Sequence, residues 1–362
     1  MRALVIGGTG PTGPYVIDGL LKRGYQVAIL HTGTHEVDLP QEVEHIHGDP
    51  HFAKTLEQAL GRRTFDLVLS MYGRLRFTVQ VLKERVPRFI SVGGVGVYRC
   101  LVNLDPYTHM PVAIPEDVAL QTDIQLDKFT YRQVEAEWAV MEAHRRGYYN
   151  ATHFRYPRIY GPRQLAPREW SIIHRILDGR TKLILPDGGL TIESRGYAEN
   201  MAHALLLAVD YPQESAGQIY NVRDEALFTV RAWVNSICQV MNHRFDFVEM
   251  PYSLASPARI YSGRSQHRIL DISKVQRELS YQDLVPAEEG IRRTIAWYLQ
   301  DPPPPGGETE QKLRDPFDYD SEDRLINSFS EAASRVKEVA PPRLGFHHEY
   351  SHPKEHQKKA EP

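Results

Sequence analysis

The chain opens on Ala3-Leu4-Val5-Ile6 and runs straight into Gly7-Gly8-Thr9-Gly10-Pro11-Thr12-Gly13, after which a helical pattern begins at Tyr15. Few features constrain a fold as tightly. A continuous apolar run ending in glycine suits a parallel strand covered on both faces. Val16, Leu20 and Leu21 then share one helix face, and Gly24 supplies the stop. Each glycine between them has its own physical reason. Gly7 permits the sharp turn, Gly10 lets backbone approach a pyrophosphate, and Gly13 allows helix and strand to pack closely. The helix start adds N–H groups and the positive end of its dipole. A strand before, a helix after and a place at the head of a βαβ unit are what that mechanism requires. Gly7, Thr9, Gly10, Pro11, Thr12 and Gly13 are therefore candidate dinucleotide contacts.

The alternation continues. Apolar runs predict strands over 26–30, 45–47, 65–70 and 88–92, with helices over 55–60 and 75–84 between them. This pattern implies an α/β NAD(P)-binding Rossmann fold with a doubly wound parallel sheet. A polar loop over 103–127, a long helix over 128–146 and a sixth strand over 153–156 follow. Beyond Gly161 short helices and strands alternate, including strands over 181–185 and 219–222. The expected division is a dinucleotide-binding domain over 1–165 with part of 195–225, and a small substrate lobe mainly over 166–300. Residues 301–362 read as a Pro-rich linker and a partly disordered tail, because the prolines and glycines of 302–307 exclude regular structure. The stretch 315–326 contains aromatics able to dock on the body, yet the Rossmann core is not expected to need anything beyond about residue 305. His347, His348, His352 and His356 lie in the polar tail without a cysteine or a tight helical pair, so no metal site is expected.

Composition narrows the partners. No apolar run approaches the roughly 20 residues needed to cross a bilayer. A formal net charge of -3 gives no argument for nucleic acid or membrane. Cys100 and Cys238 stand far apart and form no metal-spaced pair, which makes a reducing cytoplasm the default location. A small-molecule substrate and a homodimer are compatible with this composition.

The glycine spacing resembles the short-chain dehydrogenase/reductases, and later segments resemble their extended branch, the NAD-dependent epimerase/dehydratases. Those segments are Arg155-Tyr156-Pro157-Arg158-Ile159-Tyr160-Gly161-Pro162-Arg163, Gly217-Gln218-Ile219-Tyr220-Asn221-Val222 and Leu270-Asp271-Ile272-Ser273-Lys274 before Glu278-Leu279. The resemblance spans roughly residues 1 to 300 and implies further contacts. Asp49 matches an aspartate that bonds the adenine amino group, the role preferred here over simply capping the turn that follows. Ser70, Met71 and Tyr72 would border ribose and nicotinamide, with Tyr156 and Pro157 close by. The second strand ends Leu30-His31-Thr32-Gly33, without the acid that selects NAD or the arginine that selects NADP. His31 could touch either ribose, so the choice between NAD and NADP is not readable.

The family's chemistry, as the resemblance implies it, uses a tyrosine, a lysine four residues later, and a serine or threonine after the fifth strand. Aligned on Val97-Tyr98, the serine position falls on Gly94, which has no hydroxyl. The helix Phe129-Thr130-Tyr131-Arg132-Gln133-Val134-Glu135-Ala136-Glu137 admits two registers. One puts Tyr131 at the tyrosine and Glu135 at the lysine. The other puts Phe129 and Gln133 there. Both lose the lysine. Tyr131, Glu135 and Tyr98 are the candidate acid/base residues, with Tyr72 behind them. Gly94, Arg163 and Arg195 are candidate substrate contacts. Arg158, Arg163 and Arg168 suggest an anionic substrate, for which a nucleotide sugar is the family's commonest choice. Three functions follow: an NAD(P)-dependent oxidoreductase or epimerase/dehydratase-like enzyme with non-standard acid/base residues, a non-catalytic dinucleotide-binding protein, or an RNA-associated family member.

Overall fold

The computed structural model describes residues 1–35, 37–102, 111–255, 265–342, 345 and 350. The tail histidines named above lie outside them. Seven parallel strands form the main sheet. Five come from the first part of the chain: β1 (Arg2–Ile6), β2 (Gln26–His31), β3 (Glu44–His47), β4 (Leu67–Ser70) and β5 (Arg88–Gly94). The order across the sheet is Gln218–Asn221, Asn150–Tyr156, β5, β4, β1, β2, β3. This is the doubly wound arrangement expected from the alternation, reversing direction at β1.

Alternation along each strand feeds two cores. Ala3, Val5, Ile29, Leu69 and Ile90 pack with α1 (Gly13–Lys22) and with the helix Ala198–Asp210. Leu4, Ile6, Leu30, Val68 and Phe89 pack on the other face with Leu56, Leu60, Val79 and Val140. Burial on both faces explains why these strands read as unbroken apolar runs. The long helix expected over 128–146 is Lys128–Arg145, and the Asp127 carboxylate caps it by accepting from the Thr130 N–H at 3.0 Å.

A third core holds the lobe together around Trp170, Ile173, Leu185, Trp233, Ile237, Ile291 and Tyr298. It corrects the expected boundary at residue 301. The compact body runs to Phe317. Leu313 is buried in the lobe core, and the Trp170 indole N–H donates to Glu310 at 3.0 Å. Arg175, fully buried, makes a two-pronged pair with Asp315 at 2.6 and 3.0 Å, and Phe317 lies against its guanidinium. The proline run thus carries the chain back onto its own lobe. Residues 318–362 form a second unit, whose described part is the helix Tyr319–Val339.

Cys100 and Cys238 are buried, unlinked thiols. No helix among the described residues is long and apolar enough to cross a membrane, and no group of three His, Cys, Asp or Glu among them could hold a metal ion.

Candidate active site

One end of the site is made of backbone. Gly7 sits at φ +87°, and a Cβ there would lie 2.3 Å from the Tyr72 Cβ. A Cβ on Gly13 would lie 2.0 Å from the Gly8 carbonyl oxygen. Neither position tolerates a side chain. Gly10 is different: nothing stands nearer to its absent Cβ than the Gly7 oxygen, at 3.8 Å. Gly7 and Gly13 therefore shape the loop, while Gly10 keeps open the space beside it. α1 begins at Gly13, and no side chain caps it. The Thr12 hydroxyl points instead to the Met71 sulfur at 3.6 Å. The Gly13 N–H donates to the Gly10 carbonyl at 3.0 Å and Pro14 has none, so what this helix start offers an anion is its positive dipole end and the open space at Gly10.

A cleft of about 760 Å³ lies at the C-terminal ends of the parallel strands, beside the loop where Thr12 meets Met71. His51, Met71, Tyr72, Gly94, Gln133 and Tyr156 are among its walls. A smaller hollow of about 340 Å³ shares Gly94, Phe129, Gln133 and Tyr156 with it and continues to Pro157, Arg158 and Glu193. Burial holds the Tyr156 phenol well above its ordinary value, and its hydroxyl donates to the Met201 carbonyl at 3.2 Å. It is a neutral wall.

Two expected cofactor contacts are otherwise engaged. His31 is buried, with one ring nitrogen 3.2 Å from that of His45 and its ring 4.7 Å from the His47 ring, and it lines neither cavity. The Asp49 carboxylate accepts from the His51 N–H at 2.9 Å, and that bond holds its pKa below the ordinary value. The turn-capping role is therefore present. The adenine role stays a proposal.

The other end of the site depends on side chains, and here the structure separates the two helix registers. A Cβ built on Gly94 would meet the Gln133 amide at 3.6 and 3.8 Å. Gln133 thus faces Gly94, and Phe129 stands one turn earlier at the mouth, 73% exposed. Tyr131, Glu135 and Tyr98 are not among the cleft's lining residues. Glu135 is paired with Arg132 at 2.6 Å and Arg76 at 3.4 Å. Tyr98 is buried, accepts from Arg155 at 2.6 Å and donates to Asn221 at 2.7 Å. Burial raises its phenol to about 12. It belongs to a structural network centred on the Arg155–Glu137 pair, whose contacts are 2.7 and 2.8 Å. The helical period decides this: residues 129, 133 and 137 share one face, and 131 and 135 lie off it.

Sequence reasoning missed His153. It lines the cleft floor, is fully buried and contacts the Ser91 hydroxyl at 2.8 Å through Nδ1. Its Nε2 has no hydrogen-bond partner and lies 3.5 Å from the Glu137 carboxylate. A Cβ on Gly93 would fall 2.6 Å from that nitrogen, so glycine is needed there. Burial pushes the imidazole down to about 4, and it is neutral at physiological pH. The only signal was pairing of Ser91 with His153 across adjacent strands, which is invisible until register is known.

The expected arginine cluster does not converge. Arg158 pairs with Glu193 at 3.4 Å, and Arg168 donates to the Leu313 carbonyl at 3.0 Å. Arg195 is buried over the Trp233 ring, 3.5 Å from Glu193, and lines neither the cleft nor the hollow. Arg163 faces a separate cavity with Thr9.

Residues 73–222 match the profile of the NAD dependent epimerase/dehydratase family. Across those residues, less than half of its length, the chain is similar to that family. It is 28% identical over 136 residues to the uncharacterized protein YbjS of Escherichia coli, covering 32% of this chain and 40% of that one. It is 24% identical over 244 residues to the chloroplast stem-loop binding protein of 41 kDa b of Arabidopsis thaliana, covering 63% and 60%. The matches thus span less than two thirds of those relatives. Its fold is similar to that of the UDP-glucose 4-epimerase of Thermotoga maritima, with a TM-score of 0.67, 19% identity and coverage of 83% of this chain and 99% of that one.

Proposed function

We propose that this chain binds NAD or NADP along the glycine loop and works as an oxidoreductase or epimerase/dehydratase-like enzyme on a small polar substrate, without the family's tyrosine–lysine pair. The observation that carries the reading is the open space at Gly10, next to the cleft that Met71 and Tyr156 line. The cradle fits a dinucleotide: a helix N-terminus and no side chain where a pyrophosphate would sit. When bound, such a cofactor supplies hydride exchange at a substrate carbon. The chain's own contribution is a cleft floor of Gly94, Gln133 and His153, whose amide and imidazole can hold a substrate oxygen but whose residues include no phenol–ammonium pair. Curated relatives named as a sterol-4-alpha-carboxylate 3-dehydrogenase and a dTDP-glucose 4,6-dehydratase support the enzyme class. A nucleotide sugar is the first substrate to try.

Phe129, Gln133 and Gly94 favour a second reading, a dinucleotide-binding protein without turnover. Incubation of the cofactor-loaded protein with dTDP-glucose and UDP-glucose, followed by nicotinamide absorbance and product analysis, separates the two. Product formation supports the enzyme. Tight dinucleotide binding with no product from any nucleotide sugar supports the binder. The relative named for stem-loop binding makes an RNA gel shift a worthwhile third arm.

A further inference from the structure

Arg163 carries a charge that no carboxylate meets among the described residues, unlike several nearby arginines. Arg158 pairs with Glu193, Arg175 with Asp315, and Arg231 with Glu249. Arg163 has no carboxylate partner among the described residues. Its guanidinium lies over the Trp297 indole, 4.7 Å from the ring centroid. The backbone beneath is fixed: Arg163 adopts φ +62°, the Gln164 amide donates to the Ile159 carbonyl at 2.8 Å, and the Tyr298 hydroxyl donates to the Gln164 carbonyl at 3.1 Å. A non-glycine residue in the left-handed region is held there only when its surroundings over-determine it.

The cation faces a cavity of about 680 Å³. One wall is Thr9 of the glycine loop, and another is the segment after β2, with His35 and Asp38. Asp301 and the prolines 302–304 close the far side. Asp38 and Asp301 are exposed, and neither lies within ion-pair distance of Arg163, so its charge remains available. In this fold the glycine loop meets the pyrophosphate, and the end of the second strand meets the adenosine ribose. A guanidinium between those two segments stands where only the phosphates of a dinucleotide put negative charge.

We propose that Arg163 is a phosphate clamp for the dinucleotide, carried on the Trp297 face at the outer wall of the cofactor groove. The inference rests on the dinucleotide-binding reading and adds a residue from beyond the sixth strand to the cofactor site. Guanidinium matches phosphate with paired N–H donors, and it leaves an aromatic face at little cost. The pyrophosphate and a 2′-phosphate share this chemistry, and the test tells them apart.

The test is calorimetric titration of the full chain with NADH and with NADPH, in wild type, Arg163→Gln and Arg163→Lys. Loss of a charge-assisted phosphate contact weakens binding by about tenfold or more. Arg163→Lys should restore part of it. Equal weakening for both nucleotides assigns the pyrophosphate, and weakening for NADPH alone assigns the 2′-phosphate. The salt dependence of affinity should flatten in Arg163→Gln, which a merely structural role would not produce. Trp297 emission should change on binding in wild type, and that component should vanish in Trp297→Phe. Unchanged affinity and salt dependence in Arg163→Gln overturns the clamp alone. Absence of binding in wild type overturns the clamp together with the reading beneath it.

Discussion

The two ends of the cleft are specified by different parts of the chain's chemistry. At the glycine loop, function lies in what the backbone is allowed to do: Gly7 and Gly13 have no room for a Cβ, and Gly10 leaves a space. At the floor the lining is made of residues presented by β5, the Asn150–Tyr156 strand and the Lys128–Arg145 helix, among them Gly94, His153, Phe129 and Gln133. A Cβ at Gly7 or Gly13 would collide with Tyr72 or with the Gly8 backbone, whereas the exposed floor residue Phe129 is not packed in that way.

The largest expected effect tests the backbone end. Gly10→Val fits the apo loop but fills the anion cradle, and should weaken NADH or NADPH binding by about a hundredfold or more, the loss of several charge-assisted bonds at once. Its melting temperature should match wild type. Gly13→Val, which must displace the Gly8 carbonyl, should instead unfold the loop. Equal melting temperatures for both variants would erase the distinction drawn between these glycines.

Next in size is the lobe that carries the substrate side. Asp315→Ala strands Arg175, whose side chain is fully buried, and should cost about 3–5 kcal/mol in urea denaturation. Ending the chain near Leu299 should be worse, because Leu313 leaves the lobe core as well. A loss under about 1 kcal/mol, the level of a surface pair, would show that this segment only rests on the lobe.

A smaller effect concerns His153. Its folded pKa, about 4, lies below the ordinary 6.5. As pH falls through that window the unfolded chain takes up the proton first, so this group lowers stability toward the acid side. Asp224 works in the opposite sense, since burial raises it to about 7 and the folded state holds its proton. His153→Gln removes only the first contribution. Relative to wild type, the variant should gain melting temperature steadily as pH drops from 6.5 to 4. A pH-independent difference would mean that the imidazole is charged in the fold.

The smallest effect separates the helix registers. Tyr131→Phe should change stability by less than about 0.5 kcal/mol, as surface substitutions do, and leave dinucleotide affinity and any turnover unchanged. Gln133→Lys, in contrast, places an ammonium inside the cleft and should alter affinity for the nicotinamide half. Loss of turnover in Tyr131→Phe would return the catalytic role to that residue.

The parallel sheet, its first six strands and the glycine loop were legible because each rests on local rules: apolar runs, helix stops and positions where only glycine fits. The Phe129/Gln133 register was open in the sequence because a four-residue spacing fits both pairs, and only packing against Gly94 separates them. His153 and Ser91 are 62 residues apart and meet through strand pairing. The docking of 305–317 was hidden because its buried pair, Arg175 and Asp315, is made of residues that usually signify surface.

The central claim is that the loop at Gly7–Gly13 holds a dinucleotide whose nicotinamide end reaches Gly94 and Gln133. Amide hydrogen exchange with and without saturating NADH or NADPH measures it most directly. The account predicts slowed exchange in two segments at once, residues 8–13 and residues 92–96, with little change in the helix Tyr319–Val339. Unaltered exchange at 8–13 with either nucleotide would contradict it.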